Sequence, residues 1–459
     1  MRSNIFSSKK IVEILFYTFP LSFIIGNLAL TLHLLIFIAF SFFFIINKKL
    51  TIRFNNSSWL LVAFFLYFII STIIQYQSPG LLNEKAEFWS YRPISKSILL
   101  TRYLFLIIIL DILFYNNILK LKNFFLTSLF CTIFVSLDII LQYITGTDLF
   151  GLKNEGVRNS GPFGEEKIAG SYLQKISFFS FFYIMAFFKN NNQKKLLLIF
   201  IVALNSIAMI LAHNKMPILL LIFGYGLVFL FIKKLRIQSI SAFIILLVTF
   251  FLIIENNQNI KQRYGSFINT IITEPIAIKI KKFESTKVEK SIKDEKQKKD
   301  INYLFRTGHN QLFRAAIKIW KEQPIFGFGY KSFRIKCWRI RDAYNKDIKP
   351  ELVERLGLKC ANHPHNFYLE LLAEAGIIGI SLIIIFFLTI LKYSLLYLIK
   401  YNEIKYSEKY LLIPIVITFI LEIWPIKSSG ALFSTWSGTS FWLIVGITFA
   451  AINKAKSKI

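Results

Sequence analysis

The stretch CANHPHNFYLELLAEAGIIGI, from Cys360 to Ile380, joins a polar segment with two histidines directly to an apolar run. The apolar run continues to about residue 398, which is longer than the roughly 20 residues that a helix needs to cross a bilayer. The whole chain has only five histidines. The stretch therefore predicts a membrane-spanning helix with titratable side chains at its entrance, whose role depends on the side of the membrane that they face.

Apolar runs of similar length recur along the chain. Of its 459 residues, 55% are hydrophobic and 49 are Phe, and the mean hydropathy is +0.53. Continuous apolar runs without alternation favour helices, because the backbone in lipid must satisfy its own hydrogen bonds. The first run is closely followed by others, so we interpret it as a span and not as a cleaved signal peptide. We predict an all-α polytopic integral membrane protein with about 12 spans, near residues 11–27, 29–47, 58–76, 98–118, 123–146, 169–188, 194–212, 216–232, 238–255, 367–398, 410–424 and 440–453.

Basic residues collect in one set of short loops and at both termini, which the positive-inside rule assigns to the cytoplasm. The net charge of +29 then indicates cytoplasmic loops and anionic lipid, and we expect no nucleic-acid partner. The residues are Lys48, Lys49 and Arg53; Lys120 and Lys122; Lys189, Lys194 and Lys195; Lys233, Lys234 and Arg236; Lys400, Lys405 and Lys409; Arg2, Lys9 and Lys10; and Lys454, Lys456 and Lys458.

The opposite face receives residues 77–97, 147–168, 213–215 and a long insertion at 256–366. This pattern predicts three parts: a bundle of about nine spans at 1–255, a partly helical periplasmic loop at 256–366, and about three spans at 367–459. Residues 279–300 are dense in both charges and predict a mobile or solvated helix. Later in the insertion, the segment that contains Leu312 and Trp320 predicts a second, amphipathic helix, whose apolar face suits a membrane surface. That face comprises Leu312, Ala315, Ala316, Ile319 and Trp320.

The entrance to the 367–398 span holds the first candidate site residue. Asn362 or His363 can cap the helix and Pro364 suits its first turn, so His365 would fall within that turn. The positive end of the helix dipole disfavours a protonated imidazole there, and a neutral ring can accept a proton. A plain interfacial capping role is the alternative. Glu370 and Glu374 would share a face that looks into the protein.

Three cations are predicted on the same outer face as His365. Arg158 lies in an outer loop, Lys215 in an outer turn and Arg314 in the insertion. Together with His365 they could converge on an anion, although each alone is more often a snorkelling or solvated residue. Charges in the outer halves of spans usually pair or line a cavity; these are Arg102, Asp138 and Lys175.

Cysteines and acidic residues leave two questions open. Cys337 and Cys360 could pair if their loop is periplasmic, or could remain two thiols. The outer loops lack the spacings typical of a metal site, although Glu165 and Glu166 could hold a cation.

Three segments resemble the superfamily of O-antigen ligases and O-antigen polymerases. HPHNFYLELLAEAGIIGI resembles its His-Asn signature before a helix, and FRAAIKIWKEQPIFGFGYKSF and VRNSGPFGEEKIAGSYL resemble two upstream segments. The resemblance covers about 155–385, and it departs at Asn214-Lys215, where the family usually has Ser-Arg; lysine keeps the charge but loses the bidentate fork. The matching residues are His365, Asn366, Glu374, Gly376 and Gly379; Arg314, Trp320, Pro324, Gly327, Gly329 and Phe333; and Arg158, Gly161 and Phe163.

The resemblance implies a GT-C-like glycosyltransferase, multi-pass in the bacterial inner membrane, with a periplasmic active site and cytoplasmic termini. Its donor would be a glycan on undecaprenyl pyrophosphate, and its acceptor another glycan or lipid A–core. We expect an inverting, metal-independent enzyme without a cofactor, in which His365 and Arg314 are catalytic. Arg158, Lys215 and Arg314 would bind the pyrophosphate, with Asn366, Glu374 and His363 in support. The alternative is a multi-span transporter or flippase of a lipid-linked oligosaccharide or other anion.

Overall fold

The computed structural model describes residues 2–77, 87–154, 158–268, 308–348, 350, 353, 357–400 and 409–456. These residues form helices and no β-strand, with one isolated bridge between Thr147 and Lys153. The helices are α1 (Arg2–Tyr17), α2 (Phe19–Ile25), α3 (Asn27–Asn47), α4 (Asn56–Gln77), α5 (Glu87–Ile98), α6 (Thr101–Tyr115), α7 (Leu121–Thr145), α8 (Ala169–Phe187), α9 (Asn191–Leu211), α10 (Lys215–Phe231), α11 (Arg236–Asn256), α12 (Gln258–Ile268), α13 (Gly308–Glu322), α14 (Ser332–Lys346), α15 (Phe367–Ile399), α16 (Lys409–Glu422) and α17 (Thr435–Lys456).

The helices confirm the prediction of an all-α, polytopic membrane protein. Each predicted span coincides with at least one helix. Among the described residues, eight stretches are long and apolar enough to cross a membrane, and two shorter apolar helices, Lys215–Phe231 and Tyr410–Glu422, accompany them. The eight are Asn27–Asn47, Asn56–Tyr76, Pro93–Tyr115, Leu121–Thr145, Asn191–Leu211, Lys233–Asn256, Phe367–Ile399 and Thr435–Lys456.

The first predicted span, 11–27, is wrong as one continuous helix. α1 ends at Tyr17 and α2 begins at Phe19, with Pro20 in its first turn. Proline lacks the N–H that would continue the hydrogen bonds of α1, and its ring clashes with the preceding turn. The solvated helix predicted at 279–300 lies outside the described residues.

Two apolar cores hold the helices together. The larger one contains residues from Val12 in α1 to Ala455 in α17, so that helices from both ends of the chain share it. The smaller one joins α13, α14 and the start of α15. Its members include Leu312, Ala315, Ala316, Ile319, Phe333 and Ala373. The apolar face of α13 is therefore covered mainly by protein, and the membrane-surface placement considered for it does not hold.

α15 is broken at Gly376, whose φ of 62° and ψ of −168° lie outside the helical region. The break frees carbonyls before it and N–H groups after it, and both need partners in a buried environment. Residues 324–329 supply them; we call residues 324–329 together with 373–378 the helix-break interlock. Its four backbone bonds run from Phe328 N to Ala373 O (3.2 Å), Gly329 N to Glu374 O (2.8 Å), Ile377 N to Pro324 O (2.9 Å) and Ile378 N to Ile325 O (3.3 Å).

Glycine is required at two positions of the interlock. A Cβ on Gly327, where φ is 69°, would lie 2.5 Å from the carbonyl oxygen of Glu374. A Cβ on Gly376 would collide with the carbonyl of Ile325. The Tyr67 hydroxyl on α4 donates to the carbonyl of Ala375 at 2.9 Å. The Pro-x-x-Gly-x-Gly segment and the Glu-Ala-Gly segment therefore form one structural unit, which fixes α13 and α14 against the start of α15.

Candidate active site

Three of the five histidines lie together beside the start of α15. The ring centroids of His363 and His365 are 4.3 Å apart, and those of His309 and His365 are 5.2 Å apart at an interplanar angle of 88°. Sequence reasoning named His363 and His365 but missed His309, which α13 brings from a distant part of the chain. The histidines are therefore concentrated at one point of the fold.

The helix after His365 begins three or four residues later than the predicted caps imply, at Phe367. Asn366 is the N-cap of α15, and its side chain accepts hydrogen bonds from the N–H groups of Tyr368 (3.0 Å) and Leu369 (3.2 Å). His365 lies outside the helix, with a φ of 57° in the left-handed region. The predictions that Asn362 or His363 caps the helix, and that His365 occupies its first turn, are wrong. Asparagine is among the best N-cap residues, and a positive φ cannot belong to a helical turn.

Burial lowers the pKa of all three imidazoles, and neighbouring positive groups add to the effect at His363 and His365. Burial lowers the pKa of His365, and the neighbouring His309 adds to the effect. Burial, His365 and Arg334 lower the pKa of His363 to about 4. Burial also lowers the pKa of His309. The rings are therefore neutral at pH 7, and a neutral imidazole keeps one nitrogen free to accept a proton. The cause is burial, not the helix dipole on which the sequence prediction relied.

The loop between α16 and α17, residues 423–434, is hydrogen-bonded to the residues at the start of α15. Ser429 makes three contacts there. Its N–H donates to the His365 carbonyl at 2.8 Å, its Oγ accepts from the Phe367 N–H at 3.0 Å, and its backbone accepts from the His363 ring. The Asn366 side-chain amide donates to the Pro425 carbonyl at 2.9 Å. Sequence reasoning missed this loop, whose Pro-Ile-Lys-Ser-Ser-Gly sequence is that of an ordinary turn.

A buried ion-pair network includes a residue of the same loop, Lys427. Glu422 Oε2 accepts from Lys175 Nζ at 2.9 Å and from Lys427 Nζ at 3.1 Å. Lys175 also donates to Ser440 Oγ at 3.0 Å. Lys175, on α8, is thus paired, as expected of a charge within a span. The network links α8, α16 and α17 to the loop that contacts His365.

Glu370 and Glu374 are both buried, and both connect α15 to neighbouring segments. Glu370 Oε2 accepts from the Leu432 N–H at 3.1 Å. Glu374 accepts from the backbone N–H groups of Lys331 and Phe333 at the start of α14, where a carboxylate satisfies unpaired donors and complements the helix dipole. The two carboxylates therefore position the site and are themselves engaged with backbone.

Arg314 lies on α13, the helix that carries His309. Its Nη2 donates to the Tyr344 hydroxyl of α14 at 2.9 Å, and its guanidinium is 5.7 Å from the Tyr344 ring centroid. The side chain is half-buried. α14 thereby orients Arg314 on the same folded unit as the histidine cluster.

Arg158 and Lys215 lie on two segments, predicted to be outer, that are bonded to each other. Lys215 is the first residue of α10, and Arg158 is the first described residue of the segment that leads to α8. The neighbouring side chains make the link, from Asn159 Nδ2 to Leu211 O (2.9 Å) and from Asn214 Nδ2 to Lys167 O (3.1 Å). The structure thus places Arg158 and Lys215 on two segments that these bonds link, and Arg314 on the helix that also carries His309. The convergence of all four groups on one anion stays a prediction.

The remaining predicted residues have contacts of their own. Asp138 accepts from the Leu149 N–H at 2.7 Å, and Arg102 donates to the Tyr103 hydroxyl at 2.9 Å. Glu166 accepts from Asn27 Nδ2 at 2.5 Å. Within the described ranges, no group of three or more His, Cys, Asp or Glu side chains is arranged to hold a metal ion.

Cys337 and Cys360 form a disulfide, and the described part of the chain has one free cysteine, the buried Cys131. The bond joins α14 to the segment that leads into His363 and His365. The alternative of two thiols is not what the structure contains.

A family model described as O-antigen ligase matches residues 198–384. The matched segment includes Lys215, Arg314, His365 and the helix-break interlock, and Arg158 lies before it. A search of curated proteins finds no match to the chain.

Proposed function

We propose that the chain moves a glycan from undecaprenyl pyrophosphate to an acceptor hydroxyl at the periplasmic face. The proposal starts from the match of residues 198–384 to the O-antigen ligase family model, which supports a membrane glycosyl-transfer role in polysaccharide or lipopolysaccharide biosynthesis. One observation carries the proposal: a half-buried, neutral His365 is held by backbone and side-chain contacts beside the helix that bears Arg314. A positioned neutral imidazole is suited to general-base catalysis.

In the proposed reaction His365 takes the proton from the acceptor hydroxyl. The hydroxyl oxygen attacks the anomeric carbon of the donor, and the bond from that carbon to the pyrophosphate oxygen breaks. The electron pair leaves with undecaprenyl pyrophosphate. Arg314, Lys215 and Arg158 stabilise the negative charge that develops there, as fixed positive groups do in transition states. A single displacement inverts the anomeric centre, and the scheme uses side-chain charges without a metal or cofactor.

Two observations support a periplasmic site. Disulfides form and persist in oxidising compartments, and Cys337–Cys360 adjoins the histidine cluster. The basic short loops and termini favour the cytoplasm, which leaves residues 158–168, 213–215 and the 308–366 region on the other side. We therefore propose that both termini are cytoplasmic and that His365 faces the periplasm.

The second candidate is transport of a lipid-linked oligosaccharide across the bilayer. The break of α15 at Gly376 and the buried charges on α8 and α16 favour it, because carriers often build their sites from broken helices. The polar groups around His365 lie at the start of α15 and not at its break, which favours transfer.

The test compares variants in a host that lacks the native protein. His365→Ala and Arg314→Ala should leave the protein level unchanged, abolish surface glycan or its chain growth, and cause the lipid-linked donor to accumulate. Arg339→Ala is the matched control, because Arg339 is an exposed arginine on α14. Full glycan with either test variant would overturn the proposal. Failure of the donor to appear on the outer face would favour transport.

A glycolipid gel of cells lacking the protein distinguishes ligation of the glycan to lipid A–core from polymerisation of repeat units. Loss of a ligase leaves core without polymer, whereas loss of a polymerase leaves core with a single repeat. A gel identical to that of the parent strain would contradict both.

A further inference from the structure

We propose that the buried Lys175–Glu422–Lys427 network and the Ser429 hydroxyl are positioning elements that hold His365 in its reactive orientation. The inference rests on the proposed function, in which His365 accepts the acceptor proton. It assigns a role to residues outside the segment that matches the family model, since Glu422, Lys427 and Ser429 all follow residue 384.

His365 needs support from another segment because it lies outside α15, whose helical hydrogen bonds therefore do not fix it. It precedes the N-cap Asn366 and has a positive φ, a conformation that a non-glycine residue adopts only when its surroundings impose it. The hydrogen bonds to the His365 carbonyl and to the Phe367 N–H both come from Ser429, in the loop between α16 and α17. Ser429 N–H donates to the His365 carbonyl at 2.8 Å, and Ser429 Oγ accepts from the Phe367 N–H at 3.0 Å.

The same segment also holds the residue between those two contacts. Asn366 donates through Nδ2 to the Pro425 carbonyl at 2.9 Å and approaches the Lys427 carbonyl at 3.5 Å. The backbone on both sides of His365 is therefore bonded to residues 425–429. A displacement of this segment would displace His365 with it.

The ion-pair network anchors residues 425–429 to the neighbouring helices. Lys427 lies between Pro425 and Ser429, and its ammonium bonds to Glu422 at 3.1 Å, with 7% of its side chain exposed. Glu422, with 3% exposed, also binds Lys175 at 2.9 Å. Through these bonds the loop is tied to the end of α16 and to α8.

Stability alone does not account for this arrangement. Two lysines share one carboxylate, so the buried network carries an excess positive charge, and buried ion pairs are often replaceable by apolar residues at no cost in stability. Burial lowers the pKa of Lys427 to about 8, although Glu422 opposes the shift; Lys427 is therefore still charged at pH 7. A strained, charged support beside a base is expected where orientation matters for chemistry.

Ser429→Ala is the sharpest test, since it removes one hydroxyl and leaves the backbone contacts of residue 429 in place. Ser428→Ala is the matched control, because the Ser428 hydroxyl has no hydrogen-bond partner among the described residues. Ser429→Thr retains the hydroxyl, and Glu422→Gln and Lys427→Met disrupt the network. The assay combines the purified full-length protein with serial dilutions of the lipid-linked donor extracted from the deletion host, and with acceptor membranes from the same host.

We expect Ser429→Ala, Glu422→Gln and Lys427→Met to lower kcat about 10-fold or more, because small displacements of a catalytic group have effects of up to about 100-fold. The apparent KM for donor should stay within about twofold. Ser429→Thr should recover most of the rate, and Ser428→Ala should retain it. Combining Ser429→Ala with His365→Ala should cause no further loss, because the two act through one step.

Wild-type kcat in both Ser429→Ala and Glu422→Gln would overturn the inference, as would a raised KM at unchanged kcat. Thermal denaturation of each purified variant separates positioning from unfolding: a loss of rate that disappears when it is scaled to the folded fraction also overturns it. The proposed function fails separately, if His365→Ala itself keeps the wild-type rate.

Discussion

The N–H of Gly329 donates a 2.8 Å hydrogen bond to the carbonyl of Glu374, next to the point where Gly376 breaks α15. The side chain of Glu374 meanwhile accepts from the first backbone amides of α14. One residue thus joins the broken helix both to the glycine turn and to α14. The arrangement gives a physical reason for Gly327, Gly376 and Glu374, which the resemblance to a family motif alone does not explain.

We predict that Gly327→Ala destabilises the protein strongly. The new Cβ would lie 2.5 Å from the Glu374 carbonyl oxygen at a φ of 69°, and an unfavourable backbone conformation alone costs about 1–3 kcal/mol. The measurement is the midpoint of thermal denaturation of the purified protein in detergent. Gly226→Ala is the control, because a Cβ there meets open space and alanine in a helix stabilises by about 0.5–1 kcal/mol relative to glycine. Equal midpoints for the two variants would contradict the interlock.

Transfer activity should have an acid limb with its midpoint below pH 6.5. A base must be unprotonated to act, and burial together with His309 lowers the pKa of His365 from its ordinary 6.5. The rate therefore rises as pH increases through that lowered pKa. His309→Asn should move the midpoint upward, because it removes both a neighbouring positive charge and part of the burial.

The pH profile of kcat/KM checks this prediction, since its midpoint does not depend on the amount of folded protein. His33→Asn is a suitable control, because the His33 ring bonds to the Leu15 carbonyl at 2.8 Å on α3, away from the cluster. A midpoint that stays fixed in His309→Asn would show that the two rings do not interact.

Reduction of the disulfide should destabilise the site. Loss of a native disulfide typically costs about 2–5 kcal/mol, and here the bond connects α14 to the segment before His363. The denaturation midpoint of the wild type should fall on addition of a reductant, whereas that of the Cys337→Ser, Cys360→Ser double variant should not change further. Cys131→Ala should keep the full response to reductant. Alkylation of Cys337 in unreduced, denatured protein would refute the pairing.

Lys215→Arg should retain transfer activity, whereas Lys215→Ala should lose about 10²- to 10³-fold in rate if Lys215 stabilises the leaving group. Arginine preserves the charge and adds a bidentate donor for phosphate. Initial rates of transfer with extracted donor are the measurement, and Lys195→Ala, on the face assigned to the cytoplasm, is the control. A complete loss of activity in Lys215→Arg would count against a phosphate contact.

The helices and several site residues could be predicted from sequence because their signals are local. Run length and hydropathy identify spans such as Asn27–Asn47 and Leu121–Thr145, since crossing a bilayer requires a minimum length. The scarcity of histidine drew attention to His365. Its low pKa was expected as well, although from the wrong cause.

The missed features depend on bonds between distant segments. The break of α15 needs partners from residues 324–329, and no local pattern around Gly376 reveals them, because glycine is common in membrane helices. His309 becomes a site residue only when α13 packs on α15. Glu422 and Lys427 are the signal that could have exposed the 423–434 loop, because two opposite charges lie close together where an apolar run ends.

The order in which the chain is synthesised gives the Ser429 contacts a further meaning. Residues 324–329 leave the ribosome before α15, so the partners for its broken backbone are ready when it inserts, whereas residues 423–434 emerge after α15. A chain whose translation stops between α15 and α17 would have an intact helix break but a misplaced His365. If His365 is the base of the proposed transfer, catalytic competence therefore requires the segment between α16 and α17, which is made after the helix-break interlock is already in place.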